Sequence, residues 1–336
     1  MTAEQISESD NLNQAVIQWG YQYLLSHGYM VKSNLPENVI NTPWSYVVRF
    51  STSDGDIYLK HTPALLSLEA PIISILETQF EASVPTVIAH NTQLHCFLMK
   101  DAGRPLREIL KKQFNTKLYC KAINQFTLLQ LAAANHTNVF LEIGVPDWRL
   151  DKFPDLYKEL LSQKNILIED GLSEIEIIEL KALFPKVLSL CQKLSGYSIK
   201  QTIVQPDFSD NNILIDTLSQ KFTTIDLGEI VISHPFFSLV NCLQQIKKHY
   251  RFDFEDEPYL RIRDACLENY KNIISEKHLS EAFEITQTLW LIYDSLANDR
   301  LRLACDKDQL IAFQRRGRLT NTLKEFIARN SCQNLL

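Results

Sequence analysis

Apolar and polar positions change rhythm twice along this chain. Residues 12–27 place Ala15, Val16, Trp19, Tyr23 and Leu24 at helical spacing, and His27-Gly28 supplies a stop, so an amphipathic helix is expected near the start. The rhythm then shortens. Tyr46 to Phe50 and Ile57 to His61 are β-rich runs on either side of Ser53-Asp54-Gly55-Asp56, which predicts a hairpin carrying Lys60. Thr62-Pro63 opens a helix through Leu65, Leu68, Ile72, Ile73 and Leu76, with a kink expected at Pro71. A second strand pair, Pro85 to His90 and Leu94 to Met99, surrounds Asn91-Thr92-Gln93, and the pattern breaks at Asp101-Ala102-Gly103-Arg104-Pro105. Beyond that break helical periodicity dominates, near 118–136, 173–194, 236–249, 258–275, 279–298 and 307–329. One stretch interrupts it: residues 203–232 hold the short runs Ile213-Leu214-Ile215 and Phe222-Thr223-Thr224-Ile225 around a turn-like Asp216-Thr217-Leu218-Ser219-Gln220.

A chain of 336 residues fits two unequal lobes, and the break at 101–105 divides them. Apolar residues at 45% and charged residues at 22% are those of a globular protein. The net charge of −6 offers no basic face, so nucleic acid is not an expected partner. Seven cysteines, odd in number, widely spaced and without a CxxC pair, are the usage of a reducing compartment. No basic start with an apolar core marks a signal peptide, and no apolar run reaches the roughly 20 residues of a membrane helix. A cytoplasmic protein with no membrane partner is therefore expected, and its oligomeric state is not written in the sequence.

The chemistry concentrates in Gln205-Pro206-Asp207-Phe208-Ser209-Asp210-Asn211-Asn212 and, after the β-rich runs, Ile225-Asp226-Leu227-Gly228-Glu229. An Asp followed five positions later by Asn allows a carboxylate to meet an acceptor hydroxyl while the amide oxygen faces a metal ion. Asp207 and Asn212 have that spacing, and Asp226 is a second carboxylate returned by a hairpin, suited to bridging Mg²⁺ and nucleotide phosphates. Oxygen donors favour a hard ion such as Mg²⁺ over zinc. The competing reading is a polar loop, because Asp and Asn favour turns.

With these residues the chain resembles the aminoglycoside phosphotransferase and choline kinase-like family, whose motifs run HGDxxxxN, a strand, and an Asp-initiated metal motif. The resemblance implies an α+β, two-lobed protein-kinase-like fold. Residues 1–99 would form a small β-rich nucleotide-binding lobe, 100–104 a hinge, and 105–336 a larger, mainly helical lobe with the catalytic loop and the acceptor site. It implies Asp207 as catalytic residue, with Asn212 and Asp226 as metal ligands. Lys60 would neutralise the α- and β-phosphates, and Glu69, rather than its competitor Glu77, would pair with it. Met99, Lys100, Asp101 and Ala102 match the hinge whose backbone meets the adenine edge. Mg²⁺ is the implied cofactor and ATP or GTP the donor; the other partner is a small molecule with a hydroxyl acceptor.

Departures are visible too. Gln205 stands where the motif has His, although an amide can also brace a loop by donating and accepting. Asn41-Thr42-Pro43-Trp44-Ser45 replaces a glycine-rich loop, which leaves phosphate capture to Lys60, the metal and Ser45. His234-Pro235-Phe236-Phe237-Ser238-Leu239 carries His and Ser where the family has acids, and His136 reads as a buried structural histidine. The acids Asp253, Glu255, Asp256 and Glu257 would suit a cationic acceptor but read first as solvated surface. A nucleotide-binding pseudokinase or scaffold is the alternative to an enzyme. A protein kinase is less favoured, because no activation segment ending in Ala-Pro-Glu follows Asp226.

Overall fold

The computed structural model describes residues 3–331. It gathers into two compact units. The first is formed by the chain up to Arg104 together with Ile215–Gly228 and Leu301–Arg315, and the second by Pro105–Leu214, Glu229–Arg300 and the chain from Arg316 onward.

The first unit is built on an antiparallel sheet of five strands: β1 (Glu37–Thr42), β2 (Ser45–Thr52), β3 (Gly55–His61), β4 (Val87–Asn91) and β5 (Cys96–Lys100), in the order β1-β2-β3-β5-β4. Helix α1 (Ala3–Ser26) lays Val16 and Leu24 onto Val48, Phe50, Ile57, Leu59 and Leu98, because alternate positions of these strands face it. β1 has no sequence signal of its own. All but its last residue are exposed, so it needs no apolar face and is held by its hydrogen-bond ladder to β2. Helix α2 (Glu69–Phe80) starts later than its apolar rhythm, after a 3₁₀ turn at Ala64–Leu66. Pro71 therefore falls in the first turn, where no backbone N–H is required, and the reason for expecting a kink disappears.

The second unit is mainly helical. Phe126 stacks on Phe208 at 3.8 Å between ring centroids, and Phe237 on Tyr293 at 4.5 Å, so aromatic pairs fill its interior. Strand Thr202–Val204 pairs antiparallel with Val231–Ser233, bracketing the polar loop within the helices. Two expected long helices are broken. The segment 173–194 is Glu174–Ala182 followed by Phe184–Ser195, because Pro185 lacks an N–H and fits at the second helix's start. The segment 307–329 is Lys307–Ala312 and Asn321–Ser331, with Gly317 at φ +80° in the turn between them. The helix expected near 279–298 runs from Glu276 to Ala304, and the one near 258–275 ends at Glu268. Among the described residues no helix is long and apolar enough to cross a membrane.

Candidate functional site

Lys60 lies on β3, opposite Val47 on one neighbouring strand and Phe97 on the other, and is buried. Its ammonium stands 2.6 Å from a Glu69 carboxylate oxygen and 2.6 Å from Asp226 Oδ1. Burial would depress the lysine, but Asp226 and Glu69 outweigh it and hold Lys60 above its ordinary value. Glu69 opens α2 and is equally buried. Burial pushes its carboxyl up against the opposing pull of Lys60, while its Oε1 accepts a hydrogen bond from the Leu227 N–H at 3.1 Å.

Asp226 differs from both. Its side chain is 40% exposed, and its backbone sits at φ +61°, the left-handed region that L residues enter at a cost of about 1 kcal/mol or more. The neighbouring Gly228 explains how the segment comes so close to the 3₁₀ turn that precedes α2. A Cβ there would lie 2.7 Å from the Leu66 carbonyl oxygen, so only glycine allows the approach. The first unit thus contains one buried cation shared by a buried carboxylate and a strained, solvent-reaching one.

In the second unit Asp207 is exposed at the start of its loop, while Asn212 is buried. The Asn212 amide N–H groups donate to the Asp207 carbonyl at 2.9 Å and to its carboxylate at 3.0 Å, which turns the amide oxygen away from Asp207. The loop is braced by neutral groups. Ser238 Oγ accepts from the Gln205 N–H at 2.8 Å and donates to the Gln205 carbonyl at 3.0 Å. Asn241 donates to the Phe208 carbonyl at 3.3 Å, and Gln130 donates to the carbonyls of Ile203 and Pro235. Asn241 and Gln130 belong to no motif in the sequence, because their partners are main-chain carbonyls far along the chain; Ser238 is visible there only as a departure.

Met99 to Ala102, expected to form a hinge, lie at and just beyond the end of β5. Lys100 and Asp101 spend their N–H groups on the carbonyls of Thr86 and Asp56, and the Gly103 N–H bonds the Asp101 side chain. Gly103 adopts φ +115°, and a Cβ on it would lie 2.4 Å from the Ile215 carbonyl oxygen, so the chain passes this point only as glycine. Ser45 begins β2 in a tight turn, its N–H bonded to Thr42 Oγ1 at 3.0 Å. Beside that turn, Trp44 meets the ring of Phe313 edge-on at 5.8 Å, with the Arg315 guanidinium 5.0 Å above it. His136, expected to be buried, is exposed at the start of the short helix Thr137–Glu142, which offers it no apolar pocket. His234 is fully buried, and burial lowers it to about 3, so its imidazole is neutral and accepts from the Phe236 N–H.

An antiparallel-sheet unit with a buried lysine and a larger helical unit with a polar loop between short strands define the protein-kinase-like α+β class. Solved structures of that fold superpose on most of the chain. A Plasmodium vivax ethanolamine kinase is similar at a TM-score of 0.59 and 12% identity, covering 86% of this chain and 82% of its own. An amicoumacin kinase gives 0.57 and 14%, over 92% of this chain and 93% of its own. A macrolide 2'-phosphotransferase from Brachybacterium faecium gives 0.56 and 11%, over 89% and 97%. The chain shares its fold with these small-molecule kinases and phosphotransferases. No family profile matches the sequence, and no curated protein matches it.

Proposed function

We propose that this protein is a nucleotide-dependent phosphotransferase that moves the γ-phosphoryl group of ATP or GTP to a hydroxyl of a small molecule. The observation that carries the reading is Lys60 held at 2.6 Å from both Glu69 and Asp226, the last on left-handed backbone with an exposed carboxylate. A buried cation with an adjacent reachable carboxylate suits a ligand that is both anionic and metal-bound, which a nucleotide triphosphate is. The neighbours in fold are a kinase of ethanolamine, a kinase of amicoumacin and a phosphotransferase of macrolides, and this supports a small acceptor.

In the first unit Lys60 would neutralise phosphate oxygens, with Glu69 fixing the ammonium. Because Lys100 and Asp101 already spend their N–H groups in the sheet, the purine edge would be read by the Ala102 N–H and the nearby carbonyls of Met99 to Ala102. Ser45 would add a hydroxyl to phosphate capture. In the second unit Asp207 would orient the acceptor hydroxyl and take its proton.

Asn212 and Asp226 each carry a hard oxygen donor of the kind Mg²⁺ takes, and each would offer the ion one ligand. Among the described residues no group of three or more His, Cys, Asp and Glu side chains is arranged to hold a metal. Mg²⁺ would supply charge neutralisation at the nucleotide phosphates.

The pseudokinase reading draws on Gln205 and the glycine-poor segment Asn41 to Ser45, yet the Gln205 main chain is held by two hydrogen bonds with the Ser238 hydroxyl. The test is a transfer screen with MgATP and MgGTP over amino alcohols, aminoglycosides, macrolides, sugars and nucleosides, read beside thermal shifts. A shift with a purine nucleotide and transfer to one acceptor class support the reading. A shift without any transfer favours the pseudokinase, and no shift at saturating nucleotide contradicts both.

A further inference from the structure

We propose that Arg107, Asp210 and Tyr250 form a positioning clamp that fixes the second half of the loop Asp207 to Asn212 and thereby the direction in which both end residues present their side chains. The proposal rests on the functional reading above. Asp210 lies three residues after Asp207 and two before Asn212, at the start of a 3₁₀ turn, and its side chain is 2% exposed. Arg107 Nε and Nη2 both donate to Asp210 Oδ1, at 2.9 and 2.8 Å, and Nη2 also reaches Ser209 Oγ at 3.3 Å. The Tyr250 hydroxyl donates to Asp210 Oδ2. The Asp210 N–H in turn donates to the Tyr119 hydroxyl at 3.1 Å. One residue is thus tied to three helices, Leu106–Lys112, Thr116–Ala133 and Phe236–Tyr250.

A buried ion pair is a poor way to gain stability, since apolar groups of similar size serve as well or better once desolvation is counted. What the pair adds is direction. The planar guanidinium and the phenol approach the carboxylate's two oxygens from fixed helices, so the loop cannot rotate without breaking charged hydrogen bonds. Burial, with the Asp210 carboxylate beside it, pushes the Tyr250 phenol up, and it remains a donor throughout the working range. The loop is then fixed at two points, Gln205 by Ser238 and Asp210 by the clamp, with exposed Asp207 between them. Asn212 follows two residues on, its N–H bonded to the Ser209 carbonyl at 3.0 Å. Arg107, Asp210 and Tyr250 need touch neither nucleotide nor acceptor to act in this way.

The test is Arg107→Gln combined with Asp210→Asn, which removes both charges together and keeps groups able to hydrogen-bond. The control removes the exposed pair of Arg261 and Glu257 by Gln replacement at both positions. Phosphate release from MgATP to water and amide hydrogen exchange of residues 207–212 are measured on each. The double variant is expected to bind ATP like the parent, to lose kcat by about 10- to 100-fold with KM for ATP unchanged, and to exchange loop amides about 10-fold faster. The control should match the parent in all three. Tyr250→Phe removes one hydrogen bond and no charge, and should show the same direction at smaller size if the double variant does not fold. A folded variant with parental exchange, or with faster exchange but parental kcat, overturns the clamp. A parent that neither binds nucleotide nor releases phosphate overturns the kinase reading instead, and loop exchange then still decides whether the three residues fix the loop.

Discussion

The Lys60 cluster and the Gln205 to Asn212 loop solve the same problem, holding polar groups in a folded interior, by opposite means. Around Lys60 the solution is charge: one ammonium satisfies two carboxylates, and the burial cost of each ion is offset by another. Around Gln205 the solution is neutral, with Ser238, Asn241 and Gln130 bonded to main-chain groups. A charged cluster fails when one member is removed, because the others are left without compensation. A neutral brace fails locally, by the cost of one unsatisfied group. The loop changes mode only at Asp210, where the second unit spends its own buried ion pair.

Of the substitutions that separate the two regions, Lys60→Ala should have the largest effect. Glu69 would lose its cation while buried, so the variant should lose about 3 kcal/mol or more in urea unfolding and its nucleotide-dependent thermal shift as well. Unchanged stability would mean that the cluster is compensated from elsewhere. Ser238→Ala comes next. It strips the buried Gln205 N–H of its acceptor and should cost about 2 kcal/mol, with nucleotide affinity retained because no charge is touched.

The smallest effect is a pH dependence. His234 is held near 3 by burial, below the ordinary 6.5, so the unfolded chain binds a proton that the folded one refuses. Stability should fall as pH drops through 6.5 toward 3, by about 1 kcal/mol between pH 7 and pH 5.5. His234→Gln should flatten that limb while leaving Lys60 and its partners alone; an unchanged limb in the variant would assign the pH sensitivity to other groups.

Legibility in the sequence follows chain distance. The Asp207 to Asn212 spacing and the return to Asp226 are local, set by a few residues and a turn, so they could be read directly. The nearness of Lys60 to Glu69 is nearly as local, a strand end followed by a helix start. Nothing local announces Arg107 beside Asp210, 103 positions apart, or Tyr250 a further 40 along. Ser238 read only as a departure where an acid was expected, and its two hydrogen bonds to the Gln205 main chain join positions 33 residues apart. β1 was missed for a different reason, since an exposed edge strand needs no apolar alternation. The broken helix over 307–329 shows the limit of periodicity, which continues across Gly317 although the backbone does not.

In the proposed function Asp207 would perform the chemistry while the Lys60 cluster binds the donor. The direct measurement is transfer from MgATP to the acceptor found by screening, with ATP-analogue affinity measured alongside, for the parent and for Asp207→Asn. Asp207 is exposed, so the nearly isosteric change should leave the fold intact. The account predicts a kcat lowered by about 100-fold or more, the scale of losing a general base, with nucleotide affinity within about threefold of the parent, because Lys60, Glu69 and Asp226 are untouched. Full transfer activity in Asp207→Asn would contradict it.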